Sequence, residues 1–377
     1  MRIAIITLPL HTNYGGILQA YALRKAIMDL GHEADVIDRN MKIVFPPKWK
    51  MPLIYAKRLA LNIVSGGKGP EIFRERRLVR EHPFVASEVS RFIDSRITPR
   101  PVDRYDDIKA GEYDAFVVGS DQVWRPKYFG RIEDAFLSFT SKWNVRRIAY
   151  AASFGTEQLE YSYEQLEECS RLLKKFDAVS VRESSAVTVC DEWFDCDDAK
   201  FVLDPVMLLT DDDYHDIASG ATRRPAKGKA LKYIMDPKPE KTVVAGRVAS
   251  WFPAGMHDAS VAPRDLSIPL KRRVVPPLEE WVACFEDAEF VVTDSFHGCV
   301  MSILFHKHFI VLGNVARGLS RITSLLETFG LEDRLVQGLD PDDDGEYYLS
   351  GIDWETVDGV LEGMRNSSLD FLKKSLK

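Results

Sequence analysis

The sequence lacks the features of several common classes of protein. No run approaches the roughly 18 apolar residues of a transmembrane helix, so no membrane span is predicted. There is no excess of positive charge, because 57 acidic residues outnumber 50 basic ones and the formal net charge is −7. We therefore expect no nucleic acid partner. The five cysteines are scattered without a CxxC pair, which is typical of a reducing compartment and predicts a cytoplasmic protein.

Motifs for several cofactors are also missing. The sequence has no GxGxxG after its first apolar run, no GxxxxGK[ST] and no HExxH, which removes the usual support for nicotinamide, P-loop and zinc-protease chemistry. The acidic stretch from Asp340 imitates a calcium loop, but Gly351 stands where a bidentate glutamate is required. His306 and His308 lack ligand partners at metal-site spacing, so we interpret them as structural or surface residues. We predict neither a metal nor a bound cofactor.

The order of the apolar runs predicts a parallel α/β architecture. Met1–Thr7 is interpreted as a buried strand and not as a signal peptide, because it continues into Asn, Tyr and Gly without a cleavage site. A helical pattern from Leu18 ends at Gly31, and a second strand at 34–38 completes a βαβ unit. Further short apolar runs, each ending in Ser, Gly or Asp, follow in DAFVVGSD, RRIAYAASFG and DAVSVRES.

The length of 377 residues is too great for one ordinary core, so we expect two Rossmann-like domains. We place the first at 1–205 and the second at 206–377, with a terminal helix that packs back on the first domain. Strands of the second domain are expected in LKYIMD, near Val274, and in EFVVTD and FIVLG. Tandem domains of this kind place a site in the cleft that the carboxyl ends of both sheets face.

One segment has the opposite charge to the rest of the chain. We expect a helical excursion at about 42–100, and its part from Lys42 to Glu81 holds ten Lys or Arg and three Glu. Within it, LIYAKRLALNIV mixes apolar and basic positions at nearly helical spacing, which permits a surface helix that contacts anionic lipid or an anionic acceptor. A solvated helix with ordinary basic residues explains the composition equally well.

The stretch VVTDSFHGC places His297 where an apolar run stops and a helix is expected to start. Thr293, Asp294 and Ser295 are residue types that cap a following helix, so the histidine belongs to its first turn. Backbone N–H groups in such a turn have no partner within the helix and form a partly positive pocket for an anion. This position at a strand end favours a functional histidine, and a structural histidine is the alternative.

Two further loops carry polar atoms after expected strands. NYGGILQ brings Asn13, Tyr14, Gly15 and Gln19 to the first strand end, and its glycines let the backbone approach a ligand. GSDQVW follows the strand AFVV. Ser120, Asp121 and Gln122 supply polar groups, and Trp124 supplies an aromatic ring on which a sugar could stack. Asp121 could act as a base, and a capping aspartate is the equally weighted alternative.

Ser153 and Arg182 follow the next two expected strands. ASFG adds the hydroxyl of Ser153 and a glycine turn. Arg182, in VSVRESS, presents a guanidinium fork that matches a phosphate or a carboxylate. A structural arginine in a salt bridge is the alternative at even odds.

Read together, these segments resemble the polysaccharide pyruvyl transferase family. The ordered set that carries the resemblance is NYGGILQAYAL, VGSDQVW, YAASFG, VSVRESS, LDPVMLL and TDSFHG, and it is more specific than any single motif. The resemblance implies a fold similar to GT-B glycosyltransferases. It also implies transfer of pyruvate from phosphoenolpyruvate to two hydroxyls of a sugar as a cyclic ketal.

The resemblance implies a donor site built from an arginine after a strand and an Arg-Leu-His-Gly turn. Arg182 matches the first, and Ser295, Phe296, His297 and Gly298 match the second. Ser295 replaces the arginine of that turn, which removes one positive charge, and Arg317 and Arg321 are candidates to restore it. His297 is the expected acid, because an acid of near-neutral pKa suits protonation of the enol methylene, and Asp121 is the expected base.

The acceptor expected from the resemblance is a sugar of a surface polysaccharide or of its lipid-linked precursor at the inner face of the membrane. Two other functions remain open. A nucleotide-sugar glycosyltransferase would have the same architecture and a pocket for a base and ribose in the second domain. A sugar-binding protein without catalysis is kept open by Ser295.

Overall fold

The protein folds into two α/β domains, each built around a parallel β-sheet, as a computed structural model shows. The structure describes residues 1–39, 49–67, 69–313, 319–339 and 344–377. Arg317 and the first part of the acidic stretch from Asp340 lie outside the described residues. The expected fold class is confirmed, because every strand pairing in both sheets is parallel.

The first sheet has seven strands in the order β3-β2-β1-β4-β5-β6-β7. Their bounds are β1 Arg2–Ile6, β2 Glu33–Arg39, β3 Arg100–Val102, β4 Ala115–Val118, β5 Arg146–Ala152, β6 Ala178–Val181 and β7 Lys200–Phe201. β1 lies between β2 and β4, with Ile3 opposite both Ala34 and Ala115. The strand order therefore reverses between β1 and β4, which is where parallel sheets open a crevice.

The second sheet has five described strands in the order β12-β11-β10-β8-β9. Their bounds are β8 Ala230–Tyr233, β9 Met256–Asp258, β10 Phe290–Thr293, β11 Phe309–Leu312 and β12 Leu335–Val336. All four residues of β10 are buried, because strands flank it on both edges and apolar clusters cover both of its faces. The order reverses between β8 and β10, so the loop after β10 also opens at a crevice.

The expected strand near Val274 is wrong. The 3₁₀ turn Leu270–Arg273 precedes Val274, and Pro276 and Pro277 follow soon after and have no N–H to donate to a sheet. The N–H of Val275 donates instead to the carbonyl of Val85 at 2.9 Å. The edge strand beside β8 in the second sheet is β9.

Helices connect the strands and cover the sheets. The α-helices are α1 Tyr14–Asp29, α2 Met51–Val64, α3 Arg74–Val85, α4 Ser87–Phe92, α5 Ile132–Ala135, α6 Tyr163–Leu173, α7 Ser184–Phe194, α8 Asp211–Ser219, α9 Pro239–Ser250, α10 Leu278–Asp287, α11 Phe296–Leu304, α12 Ser320–Phe329, α13 Glu346–Leu349 and α14 Trp354–Ser375. Shorter turns are the π-helix Ile93–Ile97 and the 3₁₀ segments Tyr105–Asp107, Ser138–Thr140, Pro205–Leu208, Leu270–Arg273 and Glu332–Arg334. Among the helices described, none has the length and apolar character needed to cross a bilayer.

The two domains share one apolar core, which includes Ile3 from β1 and Val291 from β10. At the start of α1, the Tyr14 hydroxyl donates to the carbonyl of Pro276 at 2.9 Å, and the Tyr14 ring stacks on Trp281 with centroids 5.1 Å apart. These contacts hold the loop after β1 against the second domain. The relative position of the two strand ends is therefore set by buried apolar packing.

The last helix, α14, returns to the first domain. The Ser368 hydroxyl accepts the Leu203 N–H at 3.0 Å, and Arg365 Nε donates to the carbonyl of Met207 at 2.8 Å. Near the end of the helix, Arg146 donates to the carbonyl of Ser375 at 3.1 Å. The chain crosses from the first domain to the second between Leu203 and Met207, and α14 is hydrogen-bonded to both of these residues.

Candidate active site

Loops from both domains meet in the cleft around a cavity of about 60 Å³. Its walls come from the first domain through Asn13, Asp121 and Gln122, and from the second through Met235, Asp294, Ser295, Phe296, His297, Arg321 and Ile322. The first-domain residues follow β1 and β4, and His297 follows β10. The strand-end rule thus brings together residues more than 100 positions apart in sequence. In the described parts of the chain, no group of three His, Cys, Asp or Glu is arranged to hold a metal ion.

His297 occupies the first turn of α11, and Ser295 caps this helix by accepting the Gly298 N–H at 3.4 Å. The histidine ring is 7% exposed and fits against Gly15, where an added Cβ would lie 2.0 Å from its Nδ1. Its Nε2 lies 3.7 Å from Asp204 Oδ2. Burial lowers the pKa of His297, and the nearby Asp204 carboxylate opposes that effect. Once protonated, this imidazolium is therefore a stronger acid than an exposed one.

Asp204 and Arg182 form a buried ion pair beneath the cavity. Arg182 Nη1 lies 2.8 Å from Asp204 Oδ2, and both side chains are 0% exposed. The Ser120 hydroxyl donates to the same oxygen at 2.8 Å, and the Val206 N–H donates to Oδ1 at 3.0 Å. Burial opposes ionisation of Asp204, but the charges of His297 and Arg182 outweigh it and lower the pKa of the carboxyl. Arg182 is thus held by the salt bridge and does not line the cavity.

A second arginine does reach the cavity. Arg321, in α12, is 7% exposed and lines the wall beside His297. Burial, and then repulsion from Arg182, lower the pKa of Arg321 to about 10, so it remains charged at neutral pH. The Arg182 guanidinium carbon lies 4.4 Å from the centroid of the Phe296 ring, at the first residue of α11. The pocket therefore combines a helix N-terminus with the guanidinium group of Arg321, a pattern that favours a small anion, and the buried Arg182 lies outside its lining.

Asp121 faces this positive group from the first domain. Its backbone has a φ of 72°, a left-handed conformation that aspartate tolerates better than most residues. Its Oδ1 accepts the Gln122 N–H at 2.9 Å and lies 3.6 Å from Arg182 Nη2. A parallel bridge to Ala152 ties the same residue to the end of β5. Asp121 is thus a carboxylate held rigidly at the cavity wall, as a positioned base requires.

The expected sugar-stacking role of Trp124 is wrong. Its ring is 0% exposed and stacks on Phe136, with centroids 5.0 Å apart and the planes 10° from parallel. The indole N–H donates to the carbonyl of Ala135 at 3.2 Å. The turn at Asp121 directs the ring into the core of the first domain, so neither face is available to a ligand.

Four other residues that the sequence placed at the acceptor site lie behind its surface. The side chains of Gln19, Ser120 and Ser153 are fully buried, and Tyr14 is 4% exposed. Gln19 donates to Thr7 Oγ1 at 2.9 Å and to the carbonyl of Gly16 at 2.8 Å, which supports the loop after β1. A direct acceptor contact is excluded for these four in this arrangement, because their side chains are buried. Their contribution is to hold the loops that carry Asn13 and Asp121.

Sequence reasoning missed the role of Asp204 and of Glu183. Asp204 follows β7 by three residues, so the same strand-end rule that identified Arg182 was the signal that could have found it. Glu183 is 2% exposed, and its Oε1 accepts from the Ser153 hydroxyl at 2.8 Å and the Phe154 N–H at 3.2 Å. Its position next to Arg182 gave no comparable signal.

Asp294 binds the loop after β8 and is not the cap of α11, which is Ser295. Its carboxylate lies 2.6 Å from Lys241 Nζ and accepts the Met235 N–H at 2.6 Å and the Asp236 N–H at 3.1 Å. These bonds tie the loops after β8 and β10 together at the cavity wall.

Solved structures with a similar chain trace include an epimerase, a sucrose-phosphate synthase and a glycotransferase. A UDP-GlcNAc 2-epimerase from Methanocaldococcus jannaschii is 13% identical, with 97% of this chain and 93% of that chain covered and a TM-score of 0.46. Sucrose-phosphate synthase from Thermosynechococcus elongatus is 12% identical, with 98% and 94% covered and a TM-score of 0.44. The glycotransferase of kitacinnamycin is 12% identical, with 99% and 98% covered and a TM-score of 0.49. At these values the similarities indicate no donor, acceptor or reaction for this chain.

Sequence comparison gives a more specific result. No curated protein matches the chain significantly. The family model for polysaccharide pyruvyl transferase, however, matches residues 13–314. That range contains Asn13 and the loops after β4, β5, β6 and β10 together with α11, and so most of the cavity lining, whereas Arg321 and Ile322 lie beyond it. Because the match covers most of the chain, the protein belongs to the polysaccharide pyruvyl transferase family.

Proposed function

We propose that this protein transfers pyruvate from phosphoenolpyruvate to two hydroxyls of a sugar and forms a cyclic ketal. The observation that carries the proposal is the meeting of His297, Arg321 and the N-terminus of α11 at one cavity, with Arg182 directly beneath. Phosphoenolpyruvate carries a phosphate and a carboxylate, which are the groups that guanidinium forks and helix N-terminal amides bind. The acceptor is a sugar of a surface polysaccharide or of its lipid-linked precursor.

The donor-binding charge is supplied in part by Arg321. Ser295 occupies the position at which the resemblance implies an arginine, and in this chain it caps α11. Arg321 lines the same cavity as Ser295, so its guanidinium group is placed to offset the missing charge. Arg317 is the second candidate for this role, and it lies outside the described residues.

The proposed reaction begins with protonation of the donor. His297 delivers a proton to the enol methylene, which becomes a methyl group and leaves C2 electrophilic. The first sugar hydroxyl adds to C2 and gives its proton to Asp121, which faces His297 across the cavity. The C2–O–phosphate bond then breaks, phosphate leaves, and the second hydroxyl closes the ketal ring and releases its own proton. The departing phosphate takes the proton of the second hydroxyl, and the methyl group keeps the proton that His297 gave. Asp121 then releases the proton of the first hydroxyl to solvent and His297 takes one up, so both groups return to their starting states.

Ligand-induced thermal stabilisation tests the donor. We expect phosphoenolpyruvate to raise the melting temperature, and UDP- and GDP-sugars to leave it unchanged. Stabilisation by a nucleotide sugar alone would assign a glycosyltransferase, and stabilisation by none of these ligands would indicate a protein that binds sugar without this chemistry.

Replacement of His297 tests the acid. General acid catalysis contributes about 10² to 10⁴ in rate, so His297→Ala is expected to lower kcat for ketal formation by at least about 100-fold. The rate is measured as phosphate release in the presence of acceptor. A loss below about tenfold would mean that the histidine only helps to shape the pocket.

A further inference from the structure

Helix α2 has an inward face and an outward face of unusual composition. Its inward face contacts the segment that leads into α3: the Tyr55 ring meets Phe73 with centroids 4.9 Å apart, and Arg58 forms two hydrogen bonds of 2.8 and 2.7 Å to Glu75. No residue of the helix is buried. The polar arginine is therefore directed toward the protein, which is the reverse of an ordinary surface helix.

The outward face of α2 is apolar and solvent-exposed. Leu53 is 69% exposed, Ile63 is 73% exposed and Val64 is 86% exposed. Just before the helix, Trp49 is 71% exposed, and Lys50 Nζ lies 4.8 Å from the centroid of its ring. Exposed apolar side chains grouped on one face mark a surface that another body covers, in contrast to scattered single residues.

The charges around this face are positive. Within 49–67 and 69–85 the three acidic residues are already paired: Glu71 with Arg77 at 2.9 Å, Glu75 with Arg58 at 2.7 Å, and Glu81 with Arg77 at 2.8 Å. The remaining basic side chains are all exposed, and they are Lys50, Lys57, Arg74, Arg76 and Arg80. Arg80 lies 3.9 Å from Glu81, which is already paired with Arg77. The surroundings of the apolar face therefore carry an uncompensated positive charge.

We propose that this surface binds an anionic phospholipid bilayer, with the outward face of α2 in the headgroup region. Exposed Leu, Ile and Val provide the apolar contact, Trp49 is suited to the interface, and the flanking cations complement anionic lipid. A second copy of the chain is a poorer match, because two such surfaces would bring like charges together. The excursion also contacts the first domain beside the cleft. Thr12 lines a small cavity together with His82 and Val85 of α3, and the next residue, Asn13, lines the candidate site.

With this surface on a bilayer, the protein would be held at the membrane that carries a lipid-linked acceptor. A sugar carried on a membrane lipid could then enter the site without leaving the membrane. Delivery of a lipid-linked sugar to the site rests on the proposed function, whereas binding of the bilayer does not.

Vesicle co-sedimentation of the full chain tests the inference. We expect the protein to sediment with phosphatidylcholine vesicles in which about a third of the lipid is phosphatidylglycerol, and to stay in solution with pure phosphatidylcholine. The double variant L53E/I63E is expected to lose at least about tenfold in apparent affinity, because it places charge in the apolar contact. Removing one flanking cation in K57A or R76A is expected to cost about fivefold.

The matched control is V243E, since Val243 is 72% exposed on α9 of the second domain. It is expected to bind vesicles like the unsubstituted protein. Equal sedimentation of L53E/I63E and the unsubstituted protein would overturn the proposal, as would no sedimentation with anionic vesicles. Self-association through this face, seen by analytical ultracentrifugation without vesicle binding, would assign it to a dimer instead. Thermal stabilisation by phosphoenolpyruvate is measured on the same variants. Failure of the donor proposal can then be distinguished from failure of bilayer binding.

Discussion

Gly15 of the first domain and His297 of the second are in direct contact across the cleft. A Cβ at position 15 would lie 2.0 Å from Nδ1 of the histidine ring and 2.5 Å from its Cγ. Any side chain at this position would therefore displace the imidazole or open the domains. The glycine that sequence analysis assigned to the approach of a ligand is required instead by the approach of the histidine.

Gly15→Ala is expected to lower kcat for ketal formation by about 100-fold, the order of loss that a displacement of about 1 Å can cause. The matched control is Gly16→Ala in the same turn of α1, where the nearest atom to an added Cβ is Asn13 Nδ2 at 3.4 Å. Steady-state kinetics of both variants check the prediction. Equal activity of the two variants would show that the His297 ring tolerates displacement.

Asp204→Asn is expected to destabilise the fold, because it leaves Arg182 as a buried charge without its partner. Removing one member of a buried ion pair costs about 3–5 kcal/mol in free energy of unfolding. Urea unfolding at neutral pH measures the loss. Asp370→Asn is the control, since its side chain is 54% exposed and pairs only with Lys374 in the described residues. We expect a change within about 0.5 kcal/mol for this control.

The buried Asp204 carboxylate also predicts how the stability of the protein depends on pH. The pKa of Asp204 is lower in the folded state than its ordinary value of 3.8, so the unfolded chain binds the proton more readily. The contribution of Asp204 is therefore complete above that value and is lost as pH falls through the folded pKa. The difference in free energy of unfolding between unsubstituted protein and Asp204→Asn should narrow in strong acid. A constant difference across that range would contradict the assignment.

Arg321→Ala tests the donor-binding charge. A hydrogen bond to a charged group contributes about 1.5–3 kcal/mol, so the Kd for phosphoenolpyruvate is expected to rise by roughly 10- to 100-fold. Titration calorimetry measures it, with Arg317→Ala in parallel. The control is Arg171→Ala on α6, whose exposed side chain pairs with Glu168. Unchanged affinity in both test variants would refute the idea that these arginines compensate for Ser295.

Much of the site could be predicted because strand ends are readable from the sequence. The run EFVV followed by Thr, Asp and Ser correctly indicated a strand and then a helix, and the structure begins α11 at Phe296. Parallel strands present their carboxyl ends at one edge, so identifying a strand also identifies the edge that its next residues occupy. Asn13, Asp121 and His297 were placed near one another by this rule alone, and all three line the cavity.

The direction of individual side chains could not be predicted in the same way. Asp121 and Trp124 belong to one hexapeptide, yet Asp121 lines the cavity and Trp124 is buried in the core. The backbone at Asp121 takes a left-handed conformation, and no sequence pattern in GSDQVW required it. Val274 shows the same limit for strands, because two prolines follow soon after it and the N–H of the next residue, Val275, donates to the carbonyl of Val85 and not to a strand.

By itself, the sequence determined the parallel α/β class, the strand ends from which the site is built and the positive segment at 42–81, because each depends on local order along the chain. Only the tertiary structure decided that Arg182 is bound by Asp204, that Arg321 reaches the cavity and that α2 turns its apolar face outward. The physical reason is that ion pairing and burial depend on which distant groups come within a few ångströms, and packing of the two domains sets those distances.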